Sequence, residues 1–272
     1  MSMSRPPMDA RYECIALAKA GAIARITLMR SQAANAIDAV MAAELASAAA
    51  ACDRDRSVKA VVLTGSGKFF SAGGDLKAMM TAGSDAGAFV KNVADDLHRA
   101  ISTFARMEAP LIVAVNGVAA GAGFSLAIAG DLVIASDSAS FTMAYTRAGL
   151  SPNGSSSFVL PRLIGLRKTQ ELMLTNRTLS AQEALDWGLV NSVVPEHFLE
   201  ERTREWAERI ASGAGKAQSI VKKLLLSTFG NGLEEQMEIE GRLIAECVGS
   251  PDGQEGLRAF REKRTPQFDA QR

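Results

Sequence analysis

Residues 109–130 read APLIVAVNGVAAGAGFSLAIAG and carry no charge over their whole length. A run that long first suggests a membrane helix. Its interior argues otherwise: Pro110 opens it, Asn116-Gly117 breaks it, and Gly121 and Gly123 follow closely. The pattern predicts a buried strand over Leu111 to Val115, a turn, and a helix from about Gly121. Unbroken apolar residues fit a strand covered on both faces. Glycines between strand and helix let a backbone come close to a ligand. The helix start offers unpaired N–H groups and a positive dipole end, which suit an oxyanion. Ordinary strand-to-helix packing is the plain alternative and would need fewer glycines; this stretch alone does not choose between them.

Upstream, Ala86 to Met107 predicts a long helix with Phe89, Val93, Leu97, Ile101 and Phe104 on one face. Before it lies KFFSAGGDLKAMM, a second glycine-rich turn, with Asp75 placed to cap a helix beginning at Leu76. Lys59 to Thr64 reads as a buried strand, Ala36 to about Ala51 as a helix, and Cys14–Leu17 and Ala22–Leu28 as two strands. Downstream, Leu132 to Ala135 and Phe141 to Met143 read as strands and Gly149 to Ser157 as a polar loop. Arg162 to Thr175 reads as a helix. Ser180-Ala181-Gln182-Glu183 has the pattern of a capping box, and Leu189 to Val194 is extended. From Pro195 the pattern turns to helices, the last over Gly256 to Lys263. Alternation of strands and helices predicts an α/β core over 1–195 with mostly parallel pairing, and a helical region over 196–272.

The chain of 272 residues has 30 basic and 30 acidic side chains, a net charge of +0. Nothing here forms a basic stripe, so no nucleic-acid partner is expected. The three cysteines, Cys14, Cys52 and Cys247, are far apart and odd in number, which predicts reduced thiols in a cytoplasm. Two histidines, His98 and His197, make a histidine-rich metal site implausible. The first residues, MSMSRPPMDARYE, lack the apolar run of a secretion signal, and no membrane partner is expected.

Two glycine-rich turns that each feed a helix offer two sets of free N–H groups. If they meet, they form a hole that stabilises negative charge on a thioester or ester oxygen. Either turn alone is unspecific, and together they are more telling.

With these pieces in place the chain resembles the crotonase superfamily, also called the enoyl-CoA hydratase/isomerase family. The matching segments are RSQAANAI at 30–37, FFSAGGDLKAM at 69–79, IVAVNGVAAGAGFSLAIAGDLVIAS at 112–136, LSAQEALDWGLVNSVV at 179–194 and EGLRAFREKRTPQF at 255–268. The resemblance implies an α/β, crotonase-like (ClpP/crotonase) fold of repeated ββα units with a C-terminal helical trimerisation region. It implies an acyl-CoA thioester as ligand, with coenzyme A entering as part of the substrate and no permanently bound cofactor. The N–H groups of Gly74 and Ala122 would form the oxyanion hole. Gln32, Ala33 and Ala34, with Ala72, Leu76 and Lys77, would lie against coenzyme A, and Phe260 and Lys263 would approach a neighbouring subunit's nucleotide in a homotrimer or homohexamer.

The chain departs from that family where the chemistry sits. The positions at which the family's hydratases carry their two glutamates are Ser125 and Tyr145, and the acidic position of some isomerases is Asn153. A serine hydroxyl has no accessible pKa near 7 and an ordinary tyrosine titrates near 10. Each also has a bland role: Ser125 bonded within its helix, Tyr145 packing its ring, Asn153 serving a turn. Tyr145 is the one titratable side chain at these positions and needs a strongly lowered pKa to act as a base. The family's proline in the first loop is Ser31 here. His98, four residues before Ser102 on the long helix, reads as structural, and Asp131 and Asp137 as surface or capping groups.

Three functions remain in play. The first is an acyl-CoA enzyme that holds an enolate in the hole and isomerises or rearranges it. The second is an acyl-CoA-binding protein without turnover, which three missing carboxylates favour. The third is a serine hydrolase built on Ser125, which needs His98 nearby as base. The first is the expectation, with Asp85 or Asp95 as carboxylates that could swing into the site.

Overall fold

The computed structural model describes residues 12–268, so the reading of the first eleven residues lies outside it. In chain order the elements are β1 (Ile15–Ala20), β2 (Ile23–Leu28), α1 (Ala39–Arg54), β3 (Ala60–Gly65), β4 (Phe69–Ser71), α2 (Leu76–Thr81) and α3 (Ala86–Arg106). Then come β5 (Leu111–Val115), β6 (Val118–Ala120), α4 (Ala122–Ala127), β7 (Leu132–Ser136), β8 (Ser140–Thr142) and α5 (Ser156–Thr175). The chain continues through β9 (Thr178–Ser180), α6 (Ala181–Asp186), β10 (Ser192–Val194), α7 (Leu199–Ala211), α8 (Gly215–Ser227), α9 (Leu233–Gly249) and α10 (Pro251–Glu262).

Two sheets result. The larger runs β1-β2-β3-β5-β7-β10 and is parallel apart from the β1–β2 hairpin. The smaller runs β4-β6-β8-β9 and is antiparallel only at β8–β9. In β3–β4, β5–β6 and β7–β8 the first strand joins the larger sheet and the second the smaller. Each pair then feeds a helix, which is the repeated ββα architecture expected from the sequence.

The apolar run 109–130 is thus divided among β5, β6 and α4. No described helix is long and apolar enough to cross a membrane. The break at Asn116-Gly117 has a clear cause. Asn116 Oδ1 accepts from the Gly65 N–H at 3.0 Å and its Nδ2 donates to Gly67 O at 2.9 Å, which ties two ββ turns together. A Cβ on Gly117 would lie 2.1 Å from Lys68 O, so no other residue fits. The sequence pattern passes from turn to helix and does not show β6, whose three residues are too few to carry a period.

The main core lies between the two sheets, α1 and α3, and holds Met41, Leu45, Leu97, Phe104, Val113, Phe124 and Phe141. The expected face of α3 is buried at Val93, Leu97, Ile101 and Phe104. The other face of the larger sheet, with Val62, Ile112 and Ile134, is covered by Leu199 and Ala207 of α7. Helix α7, past residue 195, thus packs on the sheet's second face. Helix starts follow their caps. Asp38 accepts from the Met41 N–H at 2.9 Å, so α1 begins at Ala39 and not Ala36. The Ser180–Glu183 capping box is present. Helix α5 begins at Ser156, six residues earlier than the sequence suggests, and is interrupted at Gly165 (φ 76°, ψ 162°).

Helix α8 is tied to this core by a buried cation. Lys222 Nζ donates to Phe104 O at 2.9 Å and Ala109 O at 3.0 Å and pairs with Asp131 Oδ2 at 2.8 Å. Burial pulls the Lys222 ammonium below its ordinary value, and Asp131 opposes that shift. Asp131 is thus a buried cation's partner and not a plain surface or capping group. Lys222→Met keeps the stem but takes a donor from two carbonyls and leaves Asp131 with the Leu111 N–H and no counter-ion at that oxygen. A loss of about 2–4 kcal/mol is expected, seen as a lower urea midpoint at unchanged slope. An unchanged midpoint would show that the pair contributes nothing net.

Candidate active site

The two glycine-rich turns meet. Gly73 sits at φ 95° and Gly121 at φ 51°. A Cβ on Gly73 would lie 2.6 Å from Ala120 O and 3.1 Å from Ala122 N, and a Cβ on Gly121 would lie 3.9 Å from Gly73 Cα. Ile37 bridges the first turn by donating to Gly73 O at 2.7 Å and accepting from the Asp75 N–H at 3.0 Å. That pairing uses the groups on either side of Gly74 and leaves its own N–H free. Ala122 is the first residue of α4. Neither the Gly74 nor the Ala122 N–H donates to an acceptor among the described residues. Helix α4 has six residues, too few for much of a macrodipole, so what this junction offers an anion is the two N–H groups themselves.

The first turn is held from behind. Asp75 caps α2 by accepting from the Ala78 N–H at 3.0 Å, and that bond, with Arg30 beside it, holds its carboxyl below the usual range. Arg30 also pairs with Asp38 at 3.2 Å and with Asp75 at 3.1 Å. Ala34 O accepts from the Ala72 N–H at 2.9 Å, which joins the 31–35 loop to the same turn.

A cavity of about 420 Å³ opens over this junction. Of the residues expected at the site, Gly74, Ala122, Ala72, Leu76, Tyr145 and Asn153 line it. Gln32, Ala33, Ala34 and Lys77 lie off the lining, and so do Asp85 and Asp95. Asp95 is engaged by Lys91 at 2.6 Å, which holds its carboxyl below the usual range. Phe260, at 86% exposure, and Lys263 face solvent on and just after α10. Among the described residues no aspartate or glutamate lines the cavity, and the titratable side chains that do are Lys91, His98 and Tyr145.

Ser125, Tyr145 and Asn153 form one interlocked cluster. The fully buried Ser125 places Oγ 2.9 Å from Tyr145 Oη and donates to Asn153 O at 2.8 Å. Asn153 O also accepts from Ser156 Oγ at 3.0 Å and has Tyr145 Oη at 3.2 Å. Burial pushes the Tyr145 hydroxyl up to about 12, with its bonds to Ser125 and Asn153 opposing. The condition for Tyr145 as a base, a lowered pKa, is reversed: its hydroxyl bonds only to Ser125 and Asn153 and burial disfavours the phenolate. Ser125 likewise has no base. Its partners are hydroxyl and carbonyl oxygens, which removes what the hydrolase reading required.

His98 reads as structural in the sequence, and the structure places it at the site. Its Nε2 lies 2.5 Å from Asn153 Oδ1, and it lines both this cavity and an adjoining one of about 600 Å³. An amide oxygen only accepts, so the ring donates at Nε2, and in the neutral imidazole Nδ1 is then the nitrogen with the lone pair. Helical spacing held a signal: Val90, Ala94, Leu97 and His98 form one stripe of α3 along the cavity. The partner comes from a loop fifty-five residues away, which spacing on α3 cannot reveal.

Residues 18–271 match the family model described as enoyl-CoA hydratase/isomerase. The chain is similar to 4-chlorobenzoyl coenzyme A dehalogenase-2 of an Arthrobacter species, 37% identical over 89% of this chain and 88% of that protein. It is similar to 1,2-epoxyphenylacetyl-CoA isomerase of Escherichia coli, 34% identical over 89% and 93%. Among solved structures it resembles a putative enoyl-CoA hydratase from Streptomyces coelicolor at a TM-score of 0.92 and 30% identity, covering 100% of this chain and 98% of that one.

Proposed function

The chain belongs to the enoyl-CoA hydratase/isomerase family, and from that premise we propose that it is an acyl-CoA isomerase-type enzyme that moves protons through His98. The observation that carries this is one cavity holding two free N–H groups, one histidine and no carboxylate. The thioester oxygen sits between Gly74 and Ala122. Histidine is the side-chain type that exchanges protons near neutrality. His98 takes a proton from the carbon next to the thioester carbonyl. The electron pair moves onto the thioester oxygen as an enolate held by the two N–H groups. The same imidazole returns the proton at another carbon and shifts the double bond. One group suffices, whereas hydration needs an acid and a base acting on water. Asn153 orients the ring, and Ser125 and Tyr145 hold Asn153. The relatives' names span a dehalogenase and an isomerase, so the oxyanion site and not one acid–base pair is what this reading carries over.

Binding is tested first. Calorimetry with acetyl-CoA and longer acyl-CoAs is expected to show saturable binding; no detectable binding of any of them sinks the reading. A binding protein without turnover is the second reading, favoured by the interlocked residues at the three carboxylate positions. His98→Ala separates the two: lost turnover with retained binding supports the first, and no turnover in either protein supports the second.

The reading includes assembly as a trimer or dimer of trimers, with coenzyme A as part of the substrate, no permanent cofactor, and Gln32–Ala34, Lys77 and a neighbour's Phe260 and Lys263 against the nucleotide. It places the protein in a cytoplasm, in keeping with three free thiols. Support comes from apolar side chains left uncovered on α8, on α9 and in the turn between them, among them Leu225, Phe229, Leu233 and Ile244, each about two-thirds exposed. Such a surface marks an association site. Light scattering at micromolar concentration is expected to give a trimer or hexamer; a monomer refutes the assembly.

A further inference from the structure

We propose that Asn153 is a self-modifying residue, deamidated through the Gly154 nitrogen to give the cavity the carboxylate it lacks.

Ring closure joins Gly154 N to Asn153 Cγ, and contacts in the structure activate both ends. At the nucleophile, Asn153 O accepts from Ser125 Oγ at 2.8 Å and Ser156 Oγ at 3.0 Å, with Tyr145 Oη at 3.2 Å. Donors on an amide oxygen draw electron density from its nitrogen and acidify the Gly154 N–H. That N–H has no acceptor among the described residues. At the electrophile, His98 Nε2 donates to Asn153 Oδ1 at 2.5 Å, which polarises Cγ and stabilises the charge that attack places on Oδ1. Gly154 carries no side chain to obstruct the approach, and its φ of 63° lies outside helix and strand. A Cβ there would meet Ser125 Cβ at 2.9 Å, so packing keeps the Asn-Gly pair as it is. Asn153 lines the cavity, so water reaches it.

The atoms balance with water alone. Gly154 N gives its proton to solvent and bonds to Cγ. The Cγ–Nδ2 bond breaks and ammonia leaves. Water then opens the five-membered imide at the new N–Cγ bond, which yields an aspartate side chain at position 153 with the backbone unchanged. One water is consumed, one ammonia is released, and nothing is oxidised. The product carboxylate stands against His98, where it stabilises an imidazolium and supplies a second proton-transfer group. This functional half rests on the acyl-CoA reading; the modification itself does not.

The experiment incubates the native full chain at mildly alkaline pH and maps its peptides by mass spectrometry, beside a urea-unfolded sample and His98→Ala. A gain of one mass unit at residue 153, matched by released ammonia, is expected. The native rate should exceed the unfolded one, and His98→Ala should slow it on the order of tenfold, the worth of one hydrogen bond strengthened in the transition state. No mass gain at residue 153, or a native rate at or below the unfolded one, overturns the proposal. Turnover of enoyl-CoA by the aged chain and by Asn153→Asp is expected to exceed the fresh chain's by at least ~10². Isoaspartate as the sole product, or no rise in turnover while calorimetry still shows acyl-CoA binding, overturns the functional half.

Discussion

Crotonyl-CoA hydration by the freshly prepared chain is expected to run at least ~10²–10⁴-fold below that of an enzyme with its acid and base in place. Hydration needs one group to take a proton from water and another to deliver a proton to the α-carbon. Among the described residues no carboxylate lines the cavity, Tyr145 is pushed up to about 12, and Ser125 is bonded only to neutral oxygens. His98 can serve one of the two transfers but not both at once. The reciprocal test installs both carboxylates as Ser125→Glu with Tyr145→Glu. The two must change together. A glutamate at fully buried Ser125 needs the space that the Tyr145 ring occupies 2.9 Å away. A charge buried there alone would neutralise or unfold the site. The double variant should hydrate faster than the wild type. Ready hydration by the fresh wild type, at a rate typical of metabolic enzymes, would show that an unrecognised carboxylate reaches the cavity.

Ala122→Pro should lower kcat by about 10²–10³-fold for any thioester the chain turns over, the usual effect of losing one oxyanion donor. Proline removes the N–H in question and little else, because the first position of a helix accepts proline's fixed φ and has no intrahelical acceptor to lose. Ala122 holds that position in α4. The ring carbon also enters the space the oxygen would fill, so the effect should not fall below this range. Binding of free coenzyme A, which has no thioester carbonyl, should persist, as should the unfolding midpoint. Unchanged kcat in a stably folded variant would move the oxyanion site elsewhere.

Much of the fold could be read from residue order. Strand β5 announced itself by unbroken apolar residues, α3 by its buried stripe, and α2 and α6 by Asp75 and Ser180 at their caps. These are local signals, set by neighbours within four residues. The elements that escaped depend on distant partners. Strand β6 is defined by pairing with β4 and β8 and not by its own three residues. Helix α7 looked like part of an appended bundle because amphipathicity does not name the surface it covers. The site divides the same way. The two glycine-rich turns that meet around Gly73 and Gly121 were legible, whereas Gly74 and Ala122 within them were singled out only by the family resemblance. The place of His98 at the cavity was not legible, because its partner Asn153 comes from a distant loop, and the filled state of positions 125 and 145 shows only when both are seen in one hydrogen-bond cluster.

The interlock of Ser125, Tyr145 and Asn153 constrains descent as well as chemistry. A lineage carrying this cluster cannot return to a paired-carboxylate site by separate small steps. Enlarging residue 125 first collides with the tyrosine, and shortening residue 145 first leaves a hole and strands a buried hydroxyl. Both intermediates are expected to lose stability before any activity appears. The cluster acts as a ratchet, and variation among close descendants should concentrate on the cavity's apolar rim, at Leu76, Met79 and Leu150, where single changes alter acyl fit without unlocking the centre.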